Sequence, residues 1–157
     1  MIADIKKDND GILVNWERKT NQPVEAVWAM LTDNNQLEKW FDELRAGDLR
    51  KGGFMKFYIP DVMDEKLGIM DFTPNSVLEF DWFGDVIRFE LHPENEGSTL
   101  ILLEKVKTIT EQTKKDIAGW HVCLDVIIAL LDGETIQRDD AWKDWHEKYT
   151  EKLAEFE

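Results

Sequence analysis

Residues 110–131, TEQTKKDIAGWHVCLDVIIALL, carry the pattern that decides the fold. Ile117, Trp120, Leu124, Ile127, Ile128 and Leu131 recur at helical spacing as one apolar stripe, and Val126 and Leu130 widen it over the second half. A stripe that broad predicts a long helix surrounded on several sides, as one gripped by a curved sheet would be, with Gly133 placed to cap its C-terminus.

The sheet is written just upstream. Between Gly52 and Val106 short alternating runs predict consecutive antiparallel strands at Phe54–Ile59, Lys66–Thr73, Val77–Trp82, Val86–His92 and Leu100–Val106. Pro60-Asp61, Pro74-Asn75, Gly84-Asp85 and the segment Pro93 to Gly97 supply the turns. One face takes Met55, Phe57 and Ile59, then Phe72, then Leu78, Phe80 and Trp82, then Ile87, Phe89 and Leu91, then Ile101 and Leu103. That face is too aromatic for solvent, so the long helix is expected to cover it.

Nearer the N-terminus, Ile12, Val14 and Trp16 alternate with polar residues as a strand. Asn21-Gln22-Pro23 then introduces a short helix bearing Val24, Val27, Trp28 and Leu31. A second, capped by Asn34 or Asn35, aligns Leu37, Trp40 and Phe41, and the polar segment to Arg50 closes the pair. From Asp139 onward Trp142, Trp145, Tyr149, Leu153 and Phe156 recur at spacings of three and four, predicting an additional C-terminal amphipathic helix whose first turn is favoured by Asp139 and Asp140. Its stripe has two readings: docking on the protein's own surface, which we prefer, or a homodimer or chaperone contact. The expected class is α+β, with an antiparallel sheet of about seven strands wrapped around a long helix and two short helices after the first strand.

Composition bounds the function. A chain of 157 residues fits one domain over 1–157, and no linker or repeat divides it. The 19 basic and 33 acidic residues leave a net charge of -14, which repels nucleic acid and anionic lipid surfaces. The run Val126–Leu131 is far shorter than the roughly 20 residues of a membrane span, so no membrane insertion is expected. Met1–Asp10 has no apolar core of a secretory signal, and Cys123 stands alone within an apolar stretch as a core thiol. Together these predict a cytoplasmic protein.

Catalytic constellations are sparse. His146-Glu147 opens like a zinc-binding helix, but Thr150 stands where the second histidine belongs, and His92 beside Glu90 and Glu94 reads as solvated charge. His121 is the better candidate, since Asp125 follows one helical turn later, although a structural hydrogen bond is the preferred reading. Arg18, by alternation from Trp16, turns toward the concave side, either to pair with a carboxylate or to meet an acidic ligand group. No glycine-rich phosphate loop, nucleophile elbow or paired-cysteine spacing is present, so a non-catalytic role is favoured and neither cofactor nor metal is expected.

Several segments in order resemble the Bet v 1-like or START-like (SRPBCC) superfamily, and within it the group related to the activator of the Hsp90 chaperone ATPase. They are Pro23 to Trp28, Leu31-Thr32-Asp33, Trp40-Phe41, Gly52-Gly53-Phe54, Gly68 with Pro74, Gly97 to Leu100, and Gly119-Trp120 with Leu124. The resemblance implies a helix-grip fold with an internal cavity between sheet and long helix that takes a lipophilic small molecule; it implies no reaction. On that basis Phe57, Trp82, Phe89, Trp120 and Leu124 are expected to line the cavity, with Trp40 near its mouth and His121 and Arg18 as polar anchors. The alternative is a co-chaperone-like interaction protein that modulates a chaperone ATPase, although the co-chaperones that name the group carry a further N-terminal domain to which no segment here corresponds.

Overall fold

A computed structural model describes all 157 residues. The elements run β1 (Asp4–Asp8), β2 (Gly11–Thr20), α1 (Val24–Thr32), α2 (Asn34–Trp40), β3 (Leu44–Asp48), β4 (Phe54–Ile59), β5 (Met63–Thr73), β6 (Val77–Trp82), β7 (Asp85–Glu94), β8 (Gly97–Val106), α3 (Glu111–Leu131) and α4 (Arg138–Leu153). All strands join one antiparallel sheet in the order β1-β2-β8-β7-β6-β5-β4-β3. α3 is continuous over 21 residues and buries Ile117, Trp120, Leu124 and Ile127. This is the α+β helix-grip architecture. No helix is long and apolar enough to cross a membrane.

The sheet has eight strands, in keeping with the expectation of about seven, of which six were placed in the sequence. The two unforeseen strands are its edges. β1 reads DIKKD and buries only Ile5, while β3 reads LRAGD and buries only Leu44, so neither shows an alternating apolar face. Charged, short edge strands of this kind discourage pairing with other chains. In β3 the register shifts between Ala46 and Asp48, and Gly47 lies so close to Phe54 that an added Cβ would come within 2.4 Å of its ring.

Strand β8 corrects a face assignment. Phe89 pairs with Leu102 and Leu91 with Leu100, which puts Leu100, Leu102 and Glu104 on the concave side and leaves Ile101 and Leu103 half-buried on the other. The run LILL is aliphatic on both faces, so alternation carries no phase there. The turn after β7 is also tighter than expected, because Pro93 and Glu94 still pair with Ser98 and Gly97.

Caps moved by a residue or two. Pro23 rather than Asn21 precedes α1 with no side-chain cap, and Asp33 rather than Asn34 or Asn35 caps α2 by accepting from the Asn35 N–H. Thr110 and Thr113 form a reciprocal capping box on α3. Its C-cap is Asp132, with Gly133 just beyond in the left-handed region at φ 74.

One cluster of 33 buried apolar residues includes Tyr149 and Leu153, so α4 is a layer of the same core as the sheet. Its attachment is polar as well as apolar. The Tyr149 hydroxyl accepts from the Ala3 N–H at 2.9 Å and from Trp16 Nε1 at 3.0 Å, which leaves its own proton for His121 Nδ1 at 2.6 Å. His121 is fully buried and stacks on Trp145 at 3.7 Å between centroids. Burial, then the Arg18 guanidinium, the N-terminal amine and Lys148, hold the imidazole down at about 3, so it is neutral with its proton on Nε2. Asp125 Oδ2 faces that nitrogen at 3.4 Å, while Asp125 Oδ1 takes the Arg18 Nε–H at 3.0 Å. Burial pushes the Tyr149 hydroxyl up to about 12, which keeps its proton available for donation.

Glu104 is the opposite case, a carboxyl inside the grip at 1% exposure whose Oε1 has no partner. Burial, reinforced by Asp116 and Asp85, raises its pKa well above the usual carboxylate range.

Three outcomes follow from these contacts. Tyr149→Phe strands three buried polar groups and lowers unfolding free energy by about 1–3 kcal/mol in urea titrations, without changing the helix-grip fold seen by circular dichroism. The unfolded chain protonates His121 below its ordinary 6.5 whereas the folded chain does not until about 3, so stability falls with pH across that window by about 1.4 kcal/mol per unit from this group. Thermal melts of His121→Asn therefore show a shallower loss between those pH values than the parent. Glu104 has the reverse sign: the folded state keeps a proton that the unfolded state releases, so stability is lost as pH rises. Glu104→Met raises the melting temperature, more at alkaline than at acid pH, and adds about 1–3 kcal/mol of unfolding free energy where the unfolded carboxyl is ionised.

Candidate functional site

The region between α3 and the sheet is filled by side chains. Trp40, Phe89 and Leu124 are at most 1% exposed, and Phe89 meets Trp120 and Trp40 edge-to-face at 6.1 and 6.4 Å. Trp40 is held there by donating Nε1–H to the Met30 carbonyl at 2.7 Å.

Beside this packed layer a cleft of about 490 Å³ opens where the end of α2, the end of β6, the middle of α3 and the start of α4 converge. Phe41 enters it because α2 stops there, with the residue extended at φ -147. Trp82 arrives as the last residue of β6. On α3, Asp116, Gly119, Trp120 and Cys123 fall at helical spacing on one face and line the cleft together. From α4 come Arg138, Asp139 and Trp142. Trp142 Nε1 donates to the Lys115 carbonyl at 3.3 Å, and Arg138 Nη1 donates to the Trp40 carbonyl at 2.7 Å, so the start of α4 is tied to α3 and to the end of α2.

The floor is a mutually edge-to-face aromatic group: Trp82 and Trp120 at 5.1 Å, Phe41 and Trp120 at 5.4 Å, Phe41 and Trp82 at 5.9 Å. At Gly119 an added Cβ would meet nothing nearer than Trp142 Nε1 at 4.0 Å, so no close approach requires glycine there and its missing side chain enlarges the cleft.

The polar groups are unevenly balanced. Glu38, Asp42, Glu43, Asp116 and Asp139 line the cleft against Lys115 and Arg138. Burial raises the Asp116 pKa despite a 2.8 Å hydrogen bond from Gln112 Nε2, and Asp85 adds to the rise. Trp82 is 6% exposed and its Nε1–H has no acceptor in hydrogen-bonding geometry, although the Asp116 carboxyl is close enough to feel it. A smaller cleft of about 320 Å³ lies on the other side of the same pair, Trp82 and Asp116, and reaches Asp85 and Phe83. Burial pushes the Cys123 thiol up to about 11, only partly offset by Arg138, so it remains a protonated thiol rather than a nucleophile. No three His, Cys, Asp or Glu side chains converge as metal ligands.

Of the residues expected around a pocket, Trp82 and Trp120 line the cleft. Phe57 stands one ring behind, half-buried against Trp82 at 5.8 Å and Phe41 at 6.2 Å. Trp40, Phe89 and Leu124 belong to the packed layer, and Arg18 and His121 belong to the Tyr149 junction; none of the five is among the cleft's lining residues. Sequence reasoning missed Phe41, Asp116, Trp142 and Arg138 as a group. The signal available was the spacing of Asp116, Gly119, Trp120 and Cys123, a second helix face interrupted by one carboxylate and one glycine.

The architecture is similar to that of several solved proteins. A conserved protein of unknown function, EF2215 from Enterococcus faecalis, is 27% identical with a TM-score of 0.86, over 99% of this chain and 92% of that one. The protein encoded by BPP1335 from Bordetella parapertussis is 21% identical with a TM-score of 0.70, over 96% and 90% of the two chains. CalU16 from Micromonospora echinospora is 21% identical with a TM-score of 0.69, over 94% and 93%. No curated protein matches the sequence. The family model described as Activator of Hsp90 ATPase homolog 1-like protein matches residues 21–132, which span the two short helices, the meander and the whole gripping helix, and the chain belongs to that family.

Proposed function

We propose that this protein is a non-catalytic binding module that holds a lipophilic small molecule in the cleft floored by Phe41, Trp82 and Trp120. The observation that carries the reading is the cleft itself: at about 490 Å³, with aromatic rings below and a few polar groups around them, it has the size and lining of a small-molecule site. The packed layer behind it moves the ligand outward from the space between helix and sheet to the opening beside α4. Binding is favoured over chemistry because the one thiol at the cleft is held protonated, with Arg138 rather than a base as its neighbour.

A second reading rests on the family match alone, as a co-chaperone-like protein that modulates a chaperone ATPase. The two are separated by filling the cleft. Gly119→Leu gains helix propensity, about 0.5–1 kcal/mol, and its Cβ comes no closer to a neighbour than 4.0 Å from Trp142 Nε1, so the backbone tolerates it. Its side chain projects into the cleft, and fluorescence titration with the neutral probe phenylnaphthylamine is expected to show at least a tenfold loss of affinity with an unchanged or higher melting temperature. Equal affinity for the parent and the variant refutes the cleft as the site. Absence of probe binding by the parent, together with a changed rate for a chaperone ATPase on adding the protein, supports the interaction reading.

A further inference from the structure

If the cleft binds small molecules, its charges narrow their class. Five carboxylates line it against two cations, and the chain as a whole carries a charge of -14. Of the two cations, Arg138 is committed to the Trp40 carbonyl and the Cys123 sulfur, and Lys115 is exposed and free to extend into solvent. An anionic amphiphile such as a fatty acid would meet uncompensated carboxylates at this opening.

Asp116 and Trp82 sharpen the argument. Asp116 sits at the aromatic floor with one amide donor, Gln112, and no cationic partner. Trp82, buried beside it, has a donor with no acceptor. A buried donor without an acceptor and a partly buried carboxylate without a cation are each costly alone. A single positive charge placed over the rings supplies the counter-charge that Asp116 lacks. The same charge is attracted by the faces of tryptophan and phenylalanine rings.

We infer that the cleft selects lipophilic organic cations, with the apolar body of an aryl or alkyl ammonium against Phe41, Trp82 and Trp120 and its nitrogen paired with Asp116. This rests on the small-molecule reading above and deepens it. Burial raises the Asp116 pKa, and a bound ammonium lowers it again, so binding of the cation takes up fewer protons than binding of its neutral analogue.

The test uses three probes sharing one ring system: naphthylmethylamine, naphthylmethanol and naphthoic acid, titrated calorimetrically into the full chain at neutral pH and low salt. The amine is expected to bind about tenfold more tightly than the alcohol, a difference of about 1.4 kcal/mol, with the acid weakest. Asp116→Asn, which removes a desolvated carboxylate and keeps its shape, abolishes the tenfold preference for the amine over the alcohol. A melting curve verifies that the variant is folded, and the parent's preference for amine over alcohol stands without the variant. If the alcohol or acid binds as tightly as the amine, or if Asp116→Asn retains the preference, cation selectivity is overturned while small-molecule binding survives. If none of the three binds, both readings fall.

Discussion

The concave face of the sheet must be taken out of water, and α3 is the one element long enough to do it. At 21 residues it spans about 30 Å, while Trp16, Phe80, Phe89, Leu100 and Leu102 present a surface that no shorter helix covers. The aromatic rings interlock edge-to-face around Trp120, and the two short helices press Trp40 and Phe41 into the same cluster. Once α3 is seated, the positions of its other faces follow, including the one that carries Asp116, Gly119 and Cys123.

A gripped helix still has a side that the sheet does not reach. α4 closes much of it, and the closure is directional because three donors and acceptors converge on the Tyr149 hydroxyl from the N-terminal segment, β2 and α3. A neutral histidine that accepts from the Tyr149 hydroxyl is an inexpensive way to bury polarity, whereas the Glu104 carboxyl is held with an oxygen unpaired. The two buried titratable groups therefore pull stability in opposite directions as pH changes, one through lost imidazole protonation and the other through retained carboxyl protonation.

The cleft is where this closure is incomplete. The start of α4 is tethered by Arg138 to the Trp40 carbonyl and by Trp142 to the Lys115 carbonyl, which holds it as a wall beside the aromatic floor without filling it. Glycine at 119 leaves the remaining volume open. At this opening an aromatic floor, whose ring faces attract cations, meets a carboxylate-rich rim on which Arg138 is engaged and Lys115 is exposed.

The order of elements was legible from periodicity alone, because an apolar stripe at helical spacing and strands at a period of two are local properties that neighbouring residues impose on one another. The C-terminal stripe through Tyr149 and Leu153 was readable in the same way, and the match over residues 21–132 accords with the resemblance carried by Gly119-Trp120 and its companions. Three things were decided only in three dimensions. The inward phase of β8 came from pairing with β7, since both faces of that strand are aliphatic. The edge strands β1 and β3 exist because neighbours supply their hydrogen bonds, not because their own side chains alternate. The cleft required residues from α2, β6, α3 and α4 to meet, and whether large aromatics fill a space or border one depends on how those four elements pack, a relation between distant segments that no local spacing encodes.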